Sequence, residues 1–126
     1  MAAFAYATVG SNDLAKAKGF YDALLSLAGI RPLAEHPSGG RVYGSPEAPR
    51  FAVLPPHDGE LATSGNGTMF AFSFDHRSEV DAFFEKALAL GGTSAGEPGL
   101  RAPERYYAYF RDLDGNKICA FSAQPD

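Results

Sequence analysis

The 126-residue chain has no tryptophan, one cysteine and three histidines. A single cysteine cannot close an internal disulfide or supply a cysteine-rich zinc site, so both kinds of staple are excluded. Any metal site must draw on those histidines, 15 acidic residues and Cys119. Runs of basic residues are also missing, and the net charge is −4. Nucleic acid and anionic membranes are therefore not expected as partners. No Lys or Arg precedes Lys16, and the apolar stretch before it is short and alternating. No export signal or membrane span is expected, and a lone thiol then fits the reducing cytoplasm.

What is present suits one domain over 1–126, with module one about 1–55, a linker about 56–67 and module two about 68–126. A chain of 13.4 kDa should expose about 6,500 Å² when compactly folded. Ten phenylalanines provide bulk for a core, and abundant alanine permits close backbone approach.

The two modules emerge from sliding the sequence against itself by half its length. Tyr6 then falls on Met69, Phe20-Tyr21-Asp22 on Phe83-Phe84-Glu85, Leu25 on Leu88, and Gly29 on Gly92. Alternation through Phe4, Tyr6 and Thr8 predicts a strand. Ser11-Asn12-Asp13 can cap a helix carrying Leu14, Ala17, Tyr21, Leu24 and Leu25, and Gly29 ends it. In the second half, Thr68 to Asp75 reads as a strand, Ser78 as a helix cap, and Gly91-Gly92 as the helix end. Short strands follow each helix: Arg31 to Glu35, Arg41 to Gly44 and Arg50 to Leu54, then Thr93 to Ala95, Tyr106 to Asp112 and Lys117 to Ser122. Asp114-Gly115 marks a hairpin. Pro55 to Gly67 and Ala95 to Glu104 read as loops. Each half is thus β-α-β-β-β. Phe70, Phe72 and Phe74 share the face toward a helix. Tyr107, Tyr109 and Arg111 share the opposite face, which predicts a cleft in front of the sheet.

The segment Tyr106-Tyr-Ala-Tyr-Phe-Arg-Asp-Leu-Asp-Gly-Asn-Lys-Ile118 resembles the closing hairpin of the vicinal oxygen chelate superfamily. That superfamily includes glyoxalase I, bleomycin-resistance proteins, fosfomycin-resistance enzymes and extradiol dioxygenases. Leu113 replaces the usual proline. The opening strand with Ser11-Asn12-Asp13-Leu14, Phe20-Tyr21-Asp22 and Gly29, and the Gly65-Asn66-Gly67-Thr68 turn, carry the same likeness. The resemblance implies an α+β fold of two βαβββ modules, a cup-shaped mixed sheet with helices on the outer face, and a homodimer.

Family enzymes hold a divalent metal in the cup with His, Gln or Glu. The positions that resemblance assigns are Tyr6, Met69, Cys119 and a residue within Phe51-Ala-Val-Leu54. Tyr, Met, Cys and an aliphatic cannot build an octahedral site for a hard cation. No resident metal is expected there and no cofactor is expected, while a divalent metal held elsewhere stays open. The extradiol branch also keeps a tyrosine ten residues before its last ligand, which here is Tyr109. Tyr109 and Cys119 are therefore the candidate catalytic residues. Tyr6, Met69, Tyr107, Tyr109, Arg111, Cys119 and Phe121 are the candidate walls of a ligand-binding cup, with Arg111 as a bidentate anchor for an anion. The adjacent His57 and Asp58 are a weaker candidate for a general base.

Three functions remain open. One is a protein that binds a small aromatic or anionic molecule in the cup. The second is a lyase or isomerase of glyoxalase type, with an unusual metal site or metal-independent chemistry. The third is a non-catalytic interaction protein whose cup is filled by its own side chains. A fold family alone does not choose among them.

Overall fold

The 63-residue offset is a structural repeat. A computed structural model describes residues 1–102 and 104–124. Its elements are β1 (Tyr6–Gly10), α1 (Leu14–Ser26), β2 (Pro32–Glu35), β3 (Arg41–Tyr43) and β4 (Arg50–Leu54). The second set is β5 (Phe70–Ser73), α2 (Arg77–Ala89), β6 (Thr93–Ala102), β7 (Arg105–Arg111) and β8 (Lys117–Ser122). Each set forms a mixed four-stranded sheet, in the orders β1-β4-β3-β2 and β5-β8-β7-β6. The first and last strands of each module in chain order, β1 with β4 and β5 with β8, pair in parallel, with Tyr6 beside Arg50 and Phe70 beside Ile118. Parallel neighbours cannot be joined by a tight turn, and here a helix and two strands intervene. The fold is α+β with two βαβββ modules, and neither sheet closes on itself.

Both helices start and stop where side-chain chemistry allows. The Asp13 carboxylate accepts the Lys16 backbone N–H and caps α1. Past its end, Gly29 takes φ +71° while Ile30 N–H donates to the Leu25 carbonyl. The second cap differs from expectation. His76 stands at the N-cap of α2, its N–H donating to the Glu79 carboxylate at 3.0 Å, and Ser78 lies inside the helix. The acid three residues into the helix thus reaches back to the cap and sets the boundary two residues earlier.

The apolar stripes of α1 and α2 meet one core. Ala17, Phe20, Tyr21, Leu24 and Leu25 from α1 and Val80, Phe83, Phe84 and Ala87 from α2 are buried in it. Aromatic edges carry the packing across the modules: Tyr21 on Phe51, Phe51 on Phe72, Phe72 on Phe83, and Phe83 on Phe110, all at 5.1–5.8 Å. Each fully buried ring or leucine contributes about 1.5–3 kcal/mol. Phe70, Phe72 and Phe74 pack against this core, as their period-two spacing requires.

A polar latch joins the hairpin of module two to module one. Asp112 Oδ2 accepts from Tyr21 Oη at 2.5 Å and from Asn116 Nδ2 at 2.9 Å. Asp112 Oδ1 accepts the backbone N–H groups of Asp114 and Asn116. Asn116 Nδ2 also donates to the Gly10 carbonyl, and Asp114 accepts the Asn12 N–H. Burial and the Asp112 charge hold the Tyr21 phenol well above its ordinary pKa, so the hydroxyl remains a donor.

The expected 95–104 loop is mostly strand. β6 runs through it as the edge partner of β7, with register shifts after Ser94, Gly96 and Leu100. An edge strand tolerates Pro98, whose missing N–H would interrupt a central ladder. Pro103 in that segment, and Pro125 and Asp126 at the end of module two, lie outside the described residues.

Candidate functional site

Each sheet turns one face to the helices and leaves the other open, and the two open faces differ. On module two the register aligns Ala71, Cys119, Tyr109 and Gly96 in one row across β5, β8, β7 and β6. The next row carries Ser73, Phe121, Tyr107 and Gly99. Tyr107 stacks on Tyr109, centroids 5.9 Å apart and planes 9° from parallel, and on Phe121 at 5.4 Å and 18°. Gly96 makes room for this slab: a Cβ there would stand 2.9 Å from Tyr109 Cδ2. Two cations stand over the Tyr109 ring, Lys117 Nζ at 5.1 Å and the Arg101 guanidinium at 5.8 Å from its centroid. Such pairs are electrostatic and keep cations at an aromatic surface.

The slab seals Cys119. Its cross-strand partner is Tyr109, and the residue is fully buried. Burial pushes its thiol up to about 11, against a smaller opposing pull from Lys117. A thiol held protonated at neutral pH is a poor nucleophile and a poor metal ligand. The Tyr109 phenol is also raised, chiefly by desolvation, so it can donate or accept a hydrogen bond but is no base near pH 7.

On module one the corresponding face is hollow. Thr8, Ala52 and Val42 form its middle row, and all three side chains are small. Above them lies a cavity of about 250 Å³, bounded also by Tyr6, Arg50, Leu54 and His36. Tyr6 and Arg50 are register partners at one end of the face. His36 Nδ1 is engaged by Ser38, with Oγ at 2.7 Å and the backbone N at 3.1 Å. Arg50 Nη2 reaches the Pro46 carbonyl at 3.5 Å.

The expected cup residues are therefore divided. Tyr107, Tyr109 and Phe121 come together with Cys119 beneath them, whereas Tyr6 lines the hollow of the other sheet. Met69 borders a separate groove of about 510 Å³ with Phe4, Ala7, Phe51 and Phe70. Arg111 is held at the sheet rim, its Nη1 donating to the Gly115 carbonyl at 2.8 Å. His57 and Asp58 border a third hollow beside the linker, and the Asp58 carboxylate is engaged by the Glu60 N–H in a turn. The side chains at the metal positions do not fit a metal. Tyr6 and Met69 stand at the edges of different sheets, Cys119 is sealed and protonated, and the open-face residues of β4 within Phe51–Leu54 are Ala52 and Leu54. Among the described residues, no three His, Cys, Asp or Glu stand close enough to hold an ion.

Arg50, His36 and Thr8 were not evident as site residues in sequence. The alternation of Arg50, Ala52 and Leu54 against Phe51 and Val53 marks the open face of β4, but only the register places Tyr6 beside Arg50. Arg101 was hidden because its segment reads as a loop.

The Glyoxalase/Bleomycin resistance protein/Dioxygenase superfamily pattern matches residues 3–120. A glyoxalase/bleomycin resistance protein from Albidiferax ferrireducens T118 is 44% identical, with 97% of this chain and 98% of that one covered and a TM-score of 0.88. A lactoylglutathione lyase from Agrobacterium tumefaciens shares the fold at 19% identity, with 97% and 94% covered and a TM-score of 0.68. The fosfomycin resistance protein FosX from Listeria monocytogenes shares it at 17% identity, with 97% and 93% covered and a TM-score of 0.72. No curated protein matches the chain.

Proposed function

The chain belongs to the glyoxalase/bleomycin resistance protein/dioxygenase superfamily, and within it we propose that this protein binds a small aromatic or anionic molecule on its open sheet faces, without a metal at the family's ligand positions. The observation that carries this reading is the slab of Tyr107, Tyr109 and Phe121 with Lys117 and Arg101 over Tyr109. A flat, half-buried π surface flanked by cations suits a planar ligand that carries negative charge. Tyr109 would orient such a ligand through its hydroxyl, and Cys119 would serve as packing beneath it.

The binding unit in this reading is a homodimer. A filled aromatic face and a hollow face are complementary shapes, and each is open in the single chain. Exposed Phe4, Tyr6 and Met69, at 68%, 61% and 42%, flank the edge strands β1 and β5. A second copy that set its module one against this module two would bring Tyr6 toward the aromatic slab and complete a cup.

The test is metal analysis of purified protein, followed by thermal-shift and tyrosine-fluorescence titration with neutral and anionic aromatic compounds. We expect no stoichiometric transition metal, saturable binding, and loss of binding in Tyr109→Ala. Turnover of a hemithioacetal that depends on added nickel, zinc or manganese would overturn this reading in favour of a lyase or isomerase. So would a failure of every compound to bind.

A further inference from the structure

The hollow on module one holds a feature that ligand binding to the aromatic slab does not use. Arg50 Nε is buried and has no hydrogen-bond acceptor among the described residues, and its side chain borders the 250 Å³ cavity. Buried donors are nearly always paired, so an unpaired guanidinium N–H beside a hollow marks a place for an acceptor. The rest of the lining agrees in sign. Tyr6 and Thr8 bring hydroxyls, His36 brings its imidazole ring, and Val42, Ala52 and Leu54 are apolar. Among the described residues, no carboxylate lines the cavity. The acids of this module's other side are already engaged: Glu35 with Arg41 and Lys18, and Asp22 with Arg41 and Tyr43.

We propose that this hollow is an oxyanion subsite, in which Arg50 binds the carboxylate of a small organic acid, assisted by the Tyr6 and Thr8 hydroxyls and the His36 ring. The planar fork of an arginine matches a carboxylate with two parallel hydrogen bonds. The apolar floor of Ala52 and Val42 would take the carbon skeleton. At this volume the ligand is small, on the order of ten non-hydrogen atoms, since each liquid water occupies roughly 30 Å³. The inference rests on the reading of the open faces as ligand sites and adds the charge class and the residues of one of them.

Benzoate, its neutral isostere benzamide, and inorganic phosphate distinguish the possibilities when titrated to about 10 mM into isotopically labelled protein by NMR. Benzoate should shift the amides of Tyr6, Thr8, Val42 and Ala52 and bind at least about tenfold more tightly than benzamide. Arg50→Met should weaken benzoate at least about tenfold, and Arg50→Lys should recover only part, because a point charge lacks the fork. Phosphate competing as strongly as benzoate would support the oxyanion site and identify phosphate as its source. Equal binding of benzoate and benzamide, or benzoate binding unchanged in Arg50→Met, would overturn the subsite. Shifts confined to Tyr107, Tyr109 and Phe121 would overturn it too, while leaving the aromatic cup standing. The converse result, benzoate held at Arg50 with no compound touching the aromatic slab, would remove the cup reading and keep the subsite. Silence from both benzoate and phosphate would overturn it outright.

Discussion

Cys119 and Tyr109 form a cross-strand pair whose chemistry is set by what covers the thiol. A thiol pKa of about 11 against an ordinary value near 9 gives a definite sign. Below pH 9 the folded and unfolded thiols are both neutral and the folded state carries no penalty. Between about pH 9 and 11 the unfolded chain ionises first, so stability falls as pH rises. The loss from this residue amounts to about 2 kcal/mol by pH 11. Cys119→Ala should therefore lose less stability than the parent over that window, as chemical denaturation at stepped pH would show. Alkylation of the native protein by iodoacetamide at pH 8 should be far slower than alkylation of the unfolded chain. The Tyr21–Asp112 latch makes a second prediction. Tyr21→Phe removes one of four donors to a carboxylate that keeps three, at a cost of about 1–2 kcal/mol. Asp112→Ala strands the buried Tyr21 hydroxyl and the donors of the turn, and should cost at least about 3 kcal/mol. Urea unfolding that ranked the two the other way would contradict the network described here.

At the scale of elements, the helices and the closing hairpin were legible, and of β6 only its start at Thr93 to Ala95. α1 and α2 carry apolar residues at 3.6-residue spacing over thirteen residues each, and that pattern survives any tertiary context. Asp114-Gly115 forced its turn, where Gly115 takes φ +88°. β6 combines glycine and proline, which argue for a loop in any local reading. It becomes a strand because β7 offers a ladder and because Gly96 leaves room for Tyr109. Gly96→Ala should therefore push the Tyr109 ring from its place, costing about 1–3 kcal/mol and altering the near-ultraviolet circular dichroism of the tyrosine stack. The α2 cap moved for a local reason: Glu79 reaches the His76 N–H, a pairing that competes well with Ser78. Glu79→Ala should lower stability by about 1 kcal/mol in thermal melts.

At the scale of the whole molecule, the exposed surface is larger than a compact monomer needs. It measures 7360 Å², against about 6,500 Å² expected for the mass. The excess is comparable with the roughly 800 Å² that each partner buries in a standard interface. Sedimentation equilibrium should therefore give about twice the 13.4 kDa chain mass. Met69→Arg, which sets a charge on the groove between β1 and β5, should shift the protein toward monomer and weaken ligand binding in parallel. A monomeric parent that still binds ligand would remove the dimer from the proposal.

The sequence by itself determined the repeat, the two helices, the closing turn and the alternation of faces, because each follows from local spacing and from the backbone freedom of particular residues. The family resemblance it carries puts no imidazole or carboxylate at Tyr6, Met69 or Cys119, where that resemblance implies metal ligands. Tertiary structure decided what the open faces are. Register set Tyr6 beside Arg50 and put small side chains across the middle of one sheet, leaving a hollow. Register also laid Tyr109 over Cys119 and two glycines opposite the tyrosines, filling the other face with rings. The first outcome depends on residues forty-four positions apart meeting across strands, and the second on the register of strand pairs eight to thirteen positions apart, which side-chain alternation alone does not give.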